Sequence, residues 1–127
     1  MDVKSREEII KFAQKLNSTN LSPLRSGNIS LKAQNNNEEG FLITPSGKKY
    51  DSLKADDIVF VSLKGNYDEK GLQPSSEWRF HKDIYLNKTD AKAVVHAHSP
   101  HATAVSAHNK DIPAFHYMIA LAGGDNI

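Results

Sequence analysis

No cysteine occurs in these 127 residues. That excludes a disulfide framework and a thiolate metal site, so any metal must be held by histidine and carboxylate. Charge of one sign is equally lacking. Sixteen Lys and Arg stand against fifteen Asp and Glu, interspersed along the chain, with no basic block to track a nucleic-acid backbone. No apolar run is long enough to span a bilayer, and Met1-Asp2-Val3-Lys4 leads straight into charged residues without an apolar signal region. A cytoplasmic protein with neither nucleic acid nor membrane as partner is expected. There is no internal repeat, low-complexity tract or second-domain linker. With 39% hydrophobic and 24% charged residues, the composition is that of a soluble globular chain, and one domain over 1–127 follows.

Periodicity places mixed α and β elements along the chain. Ser5-Arg6-Glu7-Glu8 has capping-box spacing, and Ile9, Phe12, Ala13 and Leu16 then repeat on one helical face until Asn17-Ser18-Thr19-Asn20 breaks the pattern. Ile29 and Leu31 alternate with polar residues from Asn28 to Ala33, and Phe41 to Thr44 follow a polar tract from Gln34 to Gly40; two strands joined by an exposed turn are expected. Asp57 to Leu63 reads as a further strand, closed by Lys64-Gly65-Asn66. Ser75 or Ser76 is placed to cap a second helix reaching about Leu86, with Trp78, His81 and Tyr85 on one side and Phe80 and Ile84 on another, hence mostly buried. Ala91 to His98, with the run Ala93-Val94-Val95, reads as an interior strand. Pro100 then sits at a first helical position, opening a short helix to about Ala107.

Three features carry chemistry. His96-Ala97-His98 puts two imidazoles on one face of a strand, about 6–7 Å apart at the backbone and able to converge on one cation. Two strand-end histidines bonded to nearby backbone would give the same spacing. Pro74-Ser75-Ser76-Glu77-Trp78 gathers two hydroxyls and a carboxylate at a helix start, where free N–H groups and the helix dipole favour a phosphate; plain capping is the alternative. Glu77 qualifies as a general base only if the fold brings it to the histidines. The turns Ser26-Gly27-Asn28-Ile29-Ser30 and Thr44-Pro45-Ser46-Gly47 either let backbone approach an anion or simply bound strands. His81, His101, His108 and His116 are left unassigned to metal.

In order, Gly27-Asn28-Ile29-Ser30, Ile43-Thr44-Pro45-Ser46-Gly47, Pro74 to His81, Ala93 to His98 and Ile112 to Gly124 resemble the N-terminal part of the class II aldolase and adducin-head superfamily, closest to its L-fuculose-phosphate aldolase branch. The likeness runs from the first helix to Asp125. It implies an α/β fold: three αβα layers around a mainly antiparallel mixed sheet. It implies Zn2+ held by His96, His98 and Glu77, with a third family histidine in a C-terminal segment past Ile127, so that 1–127 is expected to be the N-terminal portion of the domain. Glu77 is the implied catalytic acid/base, and Tyr117 a proton donor presented across a subunit interface. Asn28, Thr44, Gly47, Ser75 and Ser76 match phosphate-binding positions; Ser46 replaces the usual Thr and keeps a hydroxyl. The implied reaction is reversible cleavage of a ketose 1-phosphate to dihydroxyacetone phosphate and an aldehyde by a homotetramer. A sugar-phosphate epimerase, a dehydratase of a thio-sugar phosphate, and a catalytically silent adducin-head-like module are the alternatives on the same scaffold.

Overall fold

The computed structural model describes residues 3–124; Met1, Asp2 and Asp125 to Ile127 lie outside the described residues. A four-stranded sheet, ordered β3-β2-β1-β4 with every pairing antiparallel, is built from β1 (Asn28–Asn35), β2 (Glu38–Ile43), β3 (Val59–Ser62) and β4 (Ala93–His96). Helix α1 (Val3–Ser18) packs on one face and α2 (Trp78–Asn87) on the other; α3 (Pro100–Ala107) follows β4. These are the three expected layers.

Alternation along the strands sorts the core between the faces, because successive side chains point to opposite sides. Ile29 and Leu42 join Ile9, Ala13 and Leu16 of α1, together with Tyr50, Leu53 and Ile58. Phe41, Ile43 and Val61 point the other way, onto Trp78 and Tyr85 of α2. Arg6, in the first turns of α1, is buried and donates Nη1 to the carbonyls of Ala55 (2.8 Å) and Ile58 (2.5 Å), pinning the approach to β3 against the helix.

Several boundaries differ from expectation for identifiable reasons. Helix α1 already includes Val3, so Ser5 lies inside its first turns rather than at the cap; the Ser-x-x-Glu spacing also fits a helix interior. Its end is as expected, with Asn20 left-handed at φ 56°. The expected turn from Gln34 to Gly40 contracts to Asn36-Asn37, both at positive φ (48° and 65°), which is the two-residue hairpin geometry that asparagine tolerates. Strand β3 is shorter than read because Asp56 and Asp57 close a 3-10 turn before it. Helix α2 buries one side only: Trp78, His81 and Tyr85 are inside, whereas Phe80 and Ile84 are half-buried and Leu86 is exposed.

Strand β4 is the main correction. Its apolar run predicts an interior strand, yet among the described residues it lies at the sheet edge, and Val95 is 60% exposed. Local sequence reports which side chains are apolar, not whether a neighbour pairs with the backbone edge. No helix among the described residues is long and apolar enough to cross a membrane.

Candidate metal and anion site

The register between β1 and β4 sets the floor of the site. Asn28 is opposite His96, so both sit on the α2 side of the sheet, near the N-terminal end of α2. Gly27, just before β1, is packed so closely that an added Cβ would lie 2.6 Å from the His96 carbonyl oxygen and 2.8 Å from Ser22 Oγ; only glycine fits there. Ser22 Oγ also accepts from the His98 N–H at 3.0 Å, fixing the backbone just past β4.

The second wall is formed by two loops zipped together. Pro45 and Pro74 form an isolated antiparallel bridge, the Ser75 N–H donates to the Thr44 carbonyl (3.0 Å), and the Ser46 N–H donates to the Gln73 carbonyl (2.9 Å). Thr44 is in turn tied to β1, its N–H donating to the Ile29 carbonyl (3.1 Å) and its Oγ1 accepting from the Ile29 N–H (3.3 Å). The turns that sequence left open between strand boundary and anion contact therefore stand side by side at the start of α2.

Between these walls Glu77, His96 and His98 converge, each offering one ligand atom within 4.8 Å of the others. His96 Nε2 is 3.6 Å from Glu77 Oε2 and 2.7 Å from His98 Nε2. Ligand bonds of about 2.0–2.1 Å in a tetrahedron put neighbouring donor atoms roughly 3.3 Å apart. The observed spacings bracket that value, so the donor set has the spacing of one shared divalent metal ion. At 2.7 Å one imidazole N–H donates to the bare nitrogen of the other ring.

Beside this cluster is a cavity of about 270 Å³ that reaches from Glu77 and His98 to Ser75, Ser76, Ser46 and Gly47. Asn28 and Thr44 also face it, but both are buried. The Asn28 side chain is engaged at both ends: Nδ2 donates to Glu77 Oε2, and Oδ1 faces His81 Nε2, each at 2.5 Å. Gly47 is left-handed at φ 77°. Ser75 Oγ lies 3.4 Å from the Glu77 N–H, a long capping contact, while Ser76 is exposed. A larger cavity of about 480 Å³, bounded by Arg6, Glu38, Asp56 and Asp68 among others, includes none of Glu77, His96 and His98, the metal-type donor set found among the described residues. Volume alone does not locate the chemistry.

Two lining residues had no sequence signal. Arg25 donates Nη1 to the Gly47 carbonyl (2.5 Å), and it lines the same cavity as Glu77. Tyr50 donates its hydroxyl to the Gly27 carbonyl. Burial raises the Tyr50 phenol above its usual range, a Thr44 hydrogen bond opposes this, and Glu77 adds to it; the ring remains a neutral strut. Burial, helped by the charge of His96, lowers His81 to about 4. His81 is therefore a neutral imidazole near pH 7, and it is not one of the three converging donors. Tyr117 is 78% exposed in a 3-10 turn, its ring tilted against that of His116, and does not line the cavity within this chain.

Residues 7–127 match the family described as Class II Aldolase and Adducin N-terminal domain. The chain is 45% identical over 124 residues to L-fuculose phosphate aldolase of Escherichia coli strain K12, covering 98% of this chain and 55% of that protein. It is 42% identical over 122 residues to the 5-methylthioribulose-1-phosphate/5-deoxyribulose-1-phosphate aldolase of Rhodospirillum rubrum, covering 96% of this chain and 53% of that protein. A solved structure of L-fuculose 1-phosphate aldolase superposes with a TM-score of 0.86 at 35% identity, over all of this chain and 58% of the other. The chain thus spans about half the length of the relatives it matches.

Proposed function

The chain belongs to the class II aldolase and adducin N-terminal domain family, and on that premise we propose that it carries the acid–base and anion-holding part of an aldolase cleaving a ketose 1-phosphate to dihydroxyacetone phosphate and an aldehyde. The observation carrying this reading is the meeting of Glu77, His96 and His98 within 4.8 Å, beside a cavity lined by Ser75 and Ser76. The substrate proposed first is L-fuculose 1-phosphate. The identity to the methylthioribulose-phosphate enzyme favours 5-methylthioribulose 1-phosphate as the second.

His96, His98 and Glu77 would hold Zn2+, which when bound supplies Lewis-acid stabilisation of negative charge on the substrate's oxygens. The phosphate is anchored by the Ser75, Ser76 and Ser46 hydroxyls, the Gly47 turn, the positive end of the α2 dipole and the Arg25 guanidinium. Arg25 matters because a phosphate dianion beside the Glu77 carboxylate needs a cation to offset the repulsion. Anchoring the non-reacting phosphate fixes the reacting carbons against Glu77, which takes or returns the proton on the carbon next to the carbonyl. Tyr117, exposed here, suits presentation to a neighbouring subunit of a homotetramer, where it would donate a proton to the aldehyde oxygen.

The test is the zinc content of the purified chain, together with assays for dihydroxyacetone phosphate released from each ketose 1-phosphate. Stoichiometric zinc and release from one of them is the expected result. Epimerisation of ribulose 5-phosphate without cleavage would reassign the reaction, and a folded chain with neither zinc nor turnover would leave only a silent module.

A further inference from the structure

Behind the metal-type cluster, a row of buried polar side chains joins the α2 core to Glu77. Tyr85 OH and Ser30 Oγ are 2.8 Å apart, Ser30 Oγ and His81 Nδ1 2.7 Å, His81 Nε2 and Asn28 Oδ1 2.5 Å, and Asn28 Nδ2 and Glu77 Oε2 2.5 Å. His81 and Ser30 are fully buried, Tyr85 is 1% exposed and Asn28 3%. Water therefore cannot replace a misdirected partner, and each link must be satisfied by the next.

The direction of the row is determined from its outer end. A carboxylate only accepts, so the Asn28 amide must turn its nitrogen to Glu77 and its oxygen to His81. An acceptor opposite Nε2 requires the His81 proton on that nitrogen. A neutral ring then has a bare Nδ1, which accepts from the Ser30 hydroxyl, and Ser30 in turn accepts from Tyr85. Reversing the amide would set two acceptor oxygens 2.5 Å apart at Glu77.

We propose that His81 is a positioning residue for Glu77: through Asn28 it terminates a one-directional chain of donors, Tyr85 to Ser30 to His81 to Asn28, that holds Glu77 Oε2 beside His96. This deepens the proposed function and rests on Glu77 being the site carboxylate. Glu77 is half-exposed, at the residue preceding α2, where an untethered side chain would sample rotamers pointing away from the imidazoles. An aligned row of hydrogen bonds strengthens each member and removes that freedom. Metal-binding centres elsewhere are tuned in the same way by groups that orient their ligands.

The first test is the tautomer of His81, read from nitrogen–proton correlations of the 15N-labelled imidazoles of the unsubstituted chain at neutral pH. The expected ring carries its proton on Nε2 with Nδ1 bare; a proton on Nδ1, or on both nitrogens, overturns the proposal. The second compares His81→Phe with His81→Gln, whose amide can donate to Asn28 and accept from Ser30, after both have been checked for folding. Titration with Zn2+ alone should show affinity lowered about 10–100-fold in His81→Phe and largely recovered in His81→Gln. In turnover of the cleaved ketose 1-phosphate, kcat should follow the same order while KM stays near that of the parent, because His81 does not itself line the anion cavity. Equal losses in the two variants, or an effect on KM alone, overturn the proposal. If His81→Phe does not fold, the ring tautomer and the glutamine variant decide. If the parent chain cleaves no ketose phosphate, the functional reading fails while the tautomer and the zinc titration still decide this one.

Discussion

The two faces of the sheet do different work with different chemistry. On the α1 face Ile9, Ala13, Leu16, Ile29, Leu42 and Ile58 form an aliphatic layer whose main requirement is shape, with Arg6 and Tyr50 its polar members, each bonded to backbone carbonyls. On the α2 face Phe41, Ile43, Val61, Trp78 and Tyr85 share the interior with buried Ser30, His81 and Asn28. Those polar groups cost free energy unless every donor finds an acceptor, and the row that satisfies them ends at Glu77. The aliphatic positions of one face can therefore be altered at the expense of stability alone, whereas the other face ties stability to the orientation of the site.

The sharpest way to separate the faces is to change the site without changing the packing. Glu77→Gln keeps shape and removes the charge; turnover of the proposed substrate should drop by about 10²–10⁴-fold, the range for a lost acid/base group, with the melting temperature nearly unchanged. A matching loss of stability would show that the carboxylate is a structural member of the α2 face. The converse is Leu42→Ala on the α1 face, where the side chain is 1% exposed. It should lower unfolding free energy by about 2–5 kcal/mol in denaturant titrations while zinc affinity of the folded fraction stays at the parent value. Affinity falling in parallel would break the comparison.

The α1 face was legible in sequence because its signal is local. The repeat of Ile9, Ala13 and Leu16 names the buried side of the helix, and alternation assigns Ile29 to the same layer; only Phe12, 43% exposed, lies at the rim. Half of the α2 face was equally legible, since Trp78, His81 and Tyr85 fall on one helical side. What the sequence could not supply is the partner of each polar group. His81 meets Ser30 and Asn28 across 51 and 53 residues, and Glu77 meets His96 across 19 residues of chain; spacing is silent at such range, and the family likeness alone brought Glu77 and the histidines together. Arg25 was missed because an arginine in a turn reads as a solvated side chain until its bond to Gly47 is seen. The edge position of β4 was hidden for a similar reason.

Acid should divide the faces again, with a smaller effect. Burial lowers His81 from 6.5 to about 4, so between those values the unfolded chain binds a proton that the folded chain refuses. Stability is then fully retained above about pH 6.5, declines as pH falls, and has lost this contribution below about pH 4. At about 1.4 kcal/mol per pH unit the whole loss is on the order of 3 kcal/mol. Denaturant midpoints measured across that window in the parent and in His81→Gln should show the slope in the parent only; equal slopes would assign the acid sensitivity to other groups.

The smallest expected effect tests the rim of the α1 face. Lys48 Nζ is 2.6 Å from Asp57 Oδ2, in the 3-10 turn that Arg6 also grips through the Ala55 and Ile58 carbonyls. Burial alone would raise the Asp57 carboxyl, but the Lys48 hydrogen bond, the Lys54 N–H and the charges of both lysines outweigh it and leave the group below its usual range. The folded value being the lower one, the pair's contribution is complete above the ordinary value of 3.8 and is lost only as pH drops through the lower value. Lys48→Met should therefore cost less than about 1 kcal/mol, as partly exposed pairs do, and the difference should shrink at high salt. Between pH 4 and 6.5 it should stay constant while the His81 contribution falls away. A Lys48→Met difference that followed the His81 slope would mean that the two faces titrate as one unit, and the division of labour across the sheet would not hold.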